Sequence, residues 1–162
     1  MQFTDKHAFN KNADTVMRMY SDKEFFLRKY KESGYWDIQV LAHEKNGDKF
    51  RIKCQYTMKF DAPVPGFAKK FLPDTSTVVQ EDIWDCKTKK GRLNVEMKGL
   101  PAKIGCDMTL ADATGGSANS FRWDISVKIP LIGGKIEDVV GSDIRAKSKK
   151  DHAVTAKILE SY

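Results

Sequence analysis

The sequence predicts an α+β domain in which a curved antiparallel sheet of about seven strands, interrupted after the first by two short helices, is covered by one long C-terminal helix. Three observations predict it. Between Trp36 and Ile129 apolar residues recur at nearly every second position, the period of a half-buried strand. Beyond Pro130 and Gly133-Gly134 the period changes to that of a helix and stays so to Tyr162. A composition of 41% hydrophobic and 31% charged residues belongs to a chain with a packed core and a wetted surface, which excludes a disordered one.

Phe3 to Phe9 alternates and forms the first strand, placing Phe3, Asp5, His7 and Phe9 in one register. Asn12 and Asp14 offer caps for a short helix over ADTVMRMY, and Ser21 or Asp22 restarts a second over DKEFFLRKYKES, which Gly34 stops. In the second strand Trp36, Ile38, Val40 and Ala42 share a face, and Asn46-Gly47 signals a tight hairpin. The third strand carries Phe50, Ile52, Cys54, Tyr56, Met58 and Phe60 in unbroken alternation.

A long connection from Asp61 to Thr75 precedes the fourth strand, VVQEDIWDC. Ile83 and Trp84 cannot both face inward there without a bulge, so Gln80 and Asp82 on one side, or Glu81 on the other, are open as inward residues. The remaining strands place Leu93, Val95 and Met97, then Ile104, Cys106, Met108 and Leu110, then Phe121, Trp123, Ile125, Val127 and Ile129 on one face. Turns at Lys90-Gly91, Gly99-Leu100-Pro101 and Thr114-Gly115-Gly116 separate them. Such a meander has one apolar face that another element must cover.

The last segment supplies that cover. Pro130 ends the seventh strand, the double glycine makes the turn, and a helix from Ile136 to Tyr162 spans ~40 Å at ~1.5 Å per residue. Ile136, Val140, Ile144, Val154, Ile158 and Tyr162 form its apolar stripe, on which Lys147 and Asp151 also fall. Gly141 costs ~1 kcal/mol of helix propensity relative to alanine and marks a point where the helix can kink.

A chain of 162 residues is expected to be one domain, residues 1–162. No apolar run approaches the ~18 residues of a membrane span, and MQFTDKHAFNKN lacks the apolar stretch of a signal peptide, so a cytoplasmic location is expected. Cys54, Cys86 and Cys106 are odd in number, with no CxxC and no histidine at ligand spacing. Reduced, packed thiols are expected, and neither a metal site nor a cofactor. Gly133-Gly134 before a helix is not a phosphate loop, because Ile136 stands after Lys135 where serine or threonine is needed.

The net charge is +6, but bases alternate with acids along most strands. Only Lys69-Lys70, Lys87 to Lys90 and Arg145 to Lys150 are dense, with no arginine-rich tract and no base-stacking motif. These groups read as a solvated face or as contacts to an anionic membrane surface; nucleic acid is not expected as a partner. The chain is expected to be a monomer or weak dimer.

The order strand, two short helices, six strands and one long helix is that of the helix-grip fold. The segments KHAFNKNADTV with SDKEFFLRKYKESG, VPGFAKKFLP followed by QEDIW, and VKIPLIGGKIEDVV resemble the START-like superfamily, which includes steroid and lipid transfer domains, the birch-pollen allergen group and polyketide cyclases. More closely, the sequence is similar to an uncharacterised bacterial branch of it, a domain of unknown function, over nearly the whole chain. None of these segments is a catalytic motif. The resemblance implies a single START-like domain with a cavity between sheet and long helix, holding a lipid- or sterol-like molecule for binding or transport. It leaves a cyclase- or hydrolase-type enzyme, or an interaction module with a vestigial cavity, as alternatives.

The inward strand positions would line such a cavity: Trp36, Ile38 and Val40; Ile52, Cys54, Tyr56 and Met58; Trp84; Met97; Ile104, Cys106 and Met108; and Trp123, Ile125 and Val127. From the helix come Val140, Ile144, Lys147 and Asp151, the last two either an exposed i,i+4 pair or a buried polar anchor. His7 beside Asp5 could do acid-base work but has no nucleophile at hand in the sequence. In the long connection, Pro65, Phe67, Phe71 and Leu72 with Lys69 and Lys70 would form an amphipathic turn, either a flap tied to the rim or a portal touching anionic membrane.

Overall fold

The structure, a computed structural model, describes residues 1–162. Strand β1 (Gln2–Phe9) is followed by helices α1 (Ala13–Tyr20) and α2 (Lys23–Glu32). Six strands come next: β2 (Trp36–Asn46), β3 (Lys49–Lys59), β4 (Thr75–Asp85), β5 (Lys90–Met97), β6 (Ala102–Ala113) and β7 (Gly116–Val127). Helix α3 (Gly133–Leu159) closes the chain. All seven strands form one antiparallel sheet in the order β1-β7-β6-β5-β4-β3-β2. This is the helix-grip fold that the alternation and the closing helix predict.

Local chemistry sets the boundaries. The Asn12 carboxamide oxygen accepts from the Thr15 amide at 2.9 Å and starts α1; the Asp22 carboxylate, rather than Ser21, accepts from the Glu24 amide at 3.0 Å and starts α2. Gly34, at φ 82°, ends α2 in the left-handed region. The β2–β3 turn is Gly47-Asp48, because Asn46 still pairs with Lys49. Gly91 lies inside β5 rather than in a turn, and a Cβ there would press into the Trp84 ring.

Two expectations at the sheet-to-helix junction are corrected. Helix α3 begins at Gly133, and the reversal is carried by Leu131 at φ 68°. Gly133 is needed instead for close approach, since a Cβ would meet the Val127 carbonyl oxygen at 2.5 Å. Gly141 does not interrupt α3: it lies where Met1 and, in β1, Phe3 press on the helix, and a side chain would overlap the Met1 sulphur.

The fourth strand is also settled. Its register with β3 is continuous from Lys49↔Asp85 to Lys59↔Thr75, without a bulge. Trp84, Asp82 and Gln80 therefore face inward, and Ile83, 36% exposed, faces out with Glu81. Phe25, Phe26 and Tyr30 of α2 are fully buried, Phe26 on Phe50 and Tyr30 on Tyr56 of β3, and each contributes ~1.5–3 kcal/mol. Helix α3 packs across α2 and β7. The layers do not meet everywhere.

Candidate functional site

Between the sheet, α2 and α3 lies a cavity of about 150 Å³ lined by 27 residues, 18 of them hydrophobic. Its walls are therefore mainly apolar. Tyr56, Met58, Trp84, Met97, Ile104, Met108 and Trp123 of the strands, and Val140, Ile144, Lys147 and Asp151 of α3, all reach it as the sequence predicts.

The other predicted residues do not. Ile52, Cys54, Cys106, Ile125 and Val127 face inward but are sealed in the packed core. Trp36 and Val40 are each 38% exposed and Ile38 is only half-buried. They sit on edge strand β2, where register shifts between Trp36 and Gln39 and between Val40 and Ala42, with Asp37 at φ 51°, break the alternation. Tyr35, stacked on Tyr56 at 4.7 Å, takes the place expected for them.

Helices α1 and α2 add Tyr20, Phe25, Phe26 and Lys29, which the strand-based reading misses. Lys29 lies four residues after Phe25 and three after Phe26, so helical spacing alone places it on the inward face. Asp143, three after Val140 on the stripe of α3, was legible in the same way.

The polar groups of the lining come from α2, α3 and the sheet. Lys147 and Asp151 do not pair with each other, because each finds a nearer partner. The Lys147 ammonium meets Asp143 at 3.0 Å and donates to the Lys59 carbonyl at 2.8 Å; Asp151 meets Lys29 at 3.1 Å. Burial alone would lower the pKa of Lys29, but Asp151 and Asp82 outweigh it and hold Lys29 above its ordinary range. Asp82, 6% exposed, has its pKa pushed up to about 6 by burial, against the pull of Lys29 and of a hydrogen bond from Gln80. Tyr56 donates to the Gln80 carboxamide oxygen at 2.8 Å, and Gln80 Nε2 donates to Asp82 at 2.9 Å.

His7 does find a hydroxyl, on α3. Its Nε2 lies 2.8 Å from Ser148 Oγ, and Ser148 donates to the Asp5 carboxylate. The serine proton thus points at the carboxylate, and the imidazole N–H must donate to the serine. Such an Asp-Ser-His order cannot activate Ser148 as a nucleophile, which needs the base on its own proton. Burial also lowers the pKa of His7 and favours its neutral form. A hollow beside it, lined by Thr4, Lys6, Arg145 and other polar residues, has no hydrophobic wall.

Cys54, Cys86 and Cys106 are free thiols, and burial pushes the pKa of Cys54 and Cys106 up to about 12, so both are protonated and inert. No group of three or more His, Cys, Asp or Glu side chains is placed to hold a metal ion.

The long connection contains one short turn, Gly66–Ala68. Leu72 and Ala68 are buried and Phe71 is half-buried, so these tie the segment down. Pro65 and Phe67 face out, and none of Pro65, Phe67, Phe71 and Leu72 lines the cavity. Phe67 is 48% exposed and Leu131 102%. Lys135, four residues after Leu131, lies over the Phe67 ring at 5.9 Å.

The description "Protein of unknown function (DUF2505)" belongs to a family whose sequence model matches residues 4–159. No curated protein matches the sequence. Among solved structures, TTHA0849 from Thermus thermophilus superposes with a TM-score of 0.68 at 13% identity, over 99% of this chain and 98% of that one. The Zhui aromatase/cyclase from Streptomyces sp. R1128 gives 0.63 at 10% identity, over 99% and 92%. Norcoclaurine synthase from Thalictrum flavum gives 0.64 at 13%, over 100% and 87%. At these identities the likeness is one of fold.

Proposed function

From its membership of the DUF2505 family, to which the chain belongs, and from its cavity, we propose that the protein binds or carries a hydrophobic small molecule between its sheet and its long helix. The supporting observation is the cavity itself, set between helices and sheet and mainly apolar, with a few polar groups in its lining. Its ~150 Å³ matches the size of a dry cavity that takes benzene, below the ~300–1,000 Å³ of pockets for larger ligands. A ring-sized molecule fits as the walls stand, whereas a sterol or extended lipid tail needs them to part. Each buried CH₂ contributes ~0.8 kcal/mol. The fold likeness to an aromatase/cyclase and a synthase keeps an enzyme as the second reading, and its specific observation is Asp82, a buried carboxyl group able to hold or give up a proton near neutral pH.

Native mass spectrometry of the purified protein, with extraction of anything bound, tests the reading without assuming a ligand. Titration with toluene is expected to show binding that Met108→Trp, by filling the space, weakens about tenfold, ~1.4 kcal/mol. Wild-type protein that takes up neither toluene nor a fluorescent fatty acid would overturn it.

A route to the ligand through a lipid surface is part of the proposal. Phe67 and Leu131 stand out from the surface, with Lys69, Lys70 and Lys135 close by in sequence or space. An apolar side chain fully buried in lipid contributes ~1.5–3 kcal/mol and each lysine near an anionic surface ~1, enough for weak, reversible contact. Co-sedimentation with phosphatidylserine-containing vesicles is expected, to weaken in salt, and to fall at least fivefold in Phe67→Asp/Leu131→Asp. Undiminished sedimentation of that double variant would show the surface to be uninvolved. Three free cysteines fit a reducing compartment, and no helix is long and apolar enough to cross a membrane.

A further inference from the structure

We propose that the molecule taken up by the cavity is a compact cyclic or aromatic amine, bound as its cation against Asp82. The proposal rests on the binding reading above and adds the chemistry of the ligand's polar end. Asp82 lies on the inner face of β4, in the cavity wall, and is 6% exposed. Its one hydrogen bond comes from Gln80 Nε2 at 2.9 Å, and no lysine or arginine forms an ion pair with it. Buried carboxylates are ordinarily paired, and a lone one is costly.

The charges around it explain why the position is vacant of a partner. Two lysines, Lys29 and Lys147, line the cavity with three aspartates, Asp82, Asp143 and Asp151. Lys29 is engaged by Asp151 at 3.1 Å and Lys147 by Asp143 at 3.0 Å. His7, the remaining basic group of the lining, is kept neutral by burial. Lys29 pulls on Asp82 from beyond contact distance, but two lysines against three aspartates leave one negative charge in excess, and Asp82 is the aspartate without an ion-pair contact. Gln80 cannot offset it: its carboxamide is dipolar, and with the oxygen accepting from Tyr56 it presents an N–H, which leaves the charge in place.

The surroundings favour a cation over a neutral donor. Trp84 follows Asp82 on the same face of β4, and Tyr20 stacks on it at 5.3 Å with the planes 13° apart. Aromatic faces carry negative potential and attract an ammonium group. A volume of about 150 Å³ admits one ring on a short stem. A hydroxyl could hydrogen-bond to Asp82 but would leave its charge unneutralised.

Calorimetric titration of the whole protein with benzylamine, benzyl alcohol and toluene at about pH 7.5 tests this. Benzylamine is expected to bind at least tenfold more tightly than benzyl alcohol. In Asp82→Asn that preference is expected to vanish. Equal affinity for benzylamine and benzyl alcohol in the wild type, or a preference that survives in Asp82→Asn, overturns the proposal and leaves the apolar cavity standing. Failure of all three probes, toluene included, overturns this proposal, and the binding reading falls with it when a fluorescent fatty acid is refused as well. The wild-type comparison decides even if the variant does not fold.

Discussion

Replacing Asp143 by alanine is expected to destabilise the protein by about 3 kcal/mol, the low end of the ~3–5 kcal/mol for removing one partner of a buried ion pair. Asp143 is 2% exposed, and its carboxylate accepts from the Asp61 amide at 2.5 Å, the Ala62 amide at 3.1 Å and the Lys147 ammonium. One side chain thereby ties the start of the long connection to α3. Its loss leaves two amides without their acceptor and Lys147 with only the Lys59 carbonyl and Asp61 at 3.6 Å. Those remaining partners hold the cost to the low end of the range. Urea unfolding of Asp143→Ala, Lys147→Met and the double variant measures the coupling. The double variant is expected to lose less than the sum, and strictly additive losses below about 1 kcal/mol would show the pair to be solvated.

Asp82→Asn is expected to act in the opposite direction and stabilise the unliganded protein. The folded pKa of Asp82, about 6, lies above its ordinary 3.8. The folded state therefore binds the Asp82 proton more tightly than the unfolded chain does, and stability falls as pH rises from about 4 through 6. Near pH 7.5 the ionised group costs about 2–3 kcal/mol at ~1.4 kcal/mol per pH unit, and Lys29 keeps Asp151 when the charge is removed. Thermal unfolding should show Asp82→Asn more stable than wild type at pH 7.5 and equal to it near pH 4. A difference that does not change with pH would show that Asp82 meets water. On the binding reading proposed above, that cost is stability given up at one inward residue for a ligand.

The fold was legible because strand and helix periods differ and the chain keeps each over long runs. Where two apolar residues adjoin, as at Ile83-Trp84, the period gives no answer, and the register with β3 decides it. The error at Trp36 and Val40 has a related cause: an edge strand has one neighbour, and its irregularities leave no mark in the sequence. Lys29 and Asp143 were readable from helical spacing. Their partners were not, because the Lys29–Asp151 contact joins α2 to α3 and Asp143 joins α3 to a loop, distances that no local pattern encodes.

Strand β1 lies against β7, with Phe3 opposite Trp123 and His7 opposite Asn119. Strand β1 is made before the other strands of this sheet and has no hydrogen-bonding partner until the last of them, β7, has been made. Helices α1 and α2 and the β2–β6 meander can form from neighbours in sequence, while the seam that completes the sheet must close the longest loop between any two of its strands. Topologies dominated by such distant pairings fold slowly. During synthesis β1 presents an unpaired edge, and Lys6, exposed at its middle, is the kind of charge that keeps such an edge from pairing with another chain.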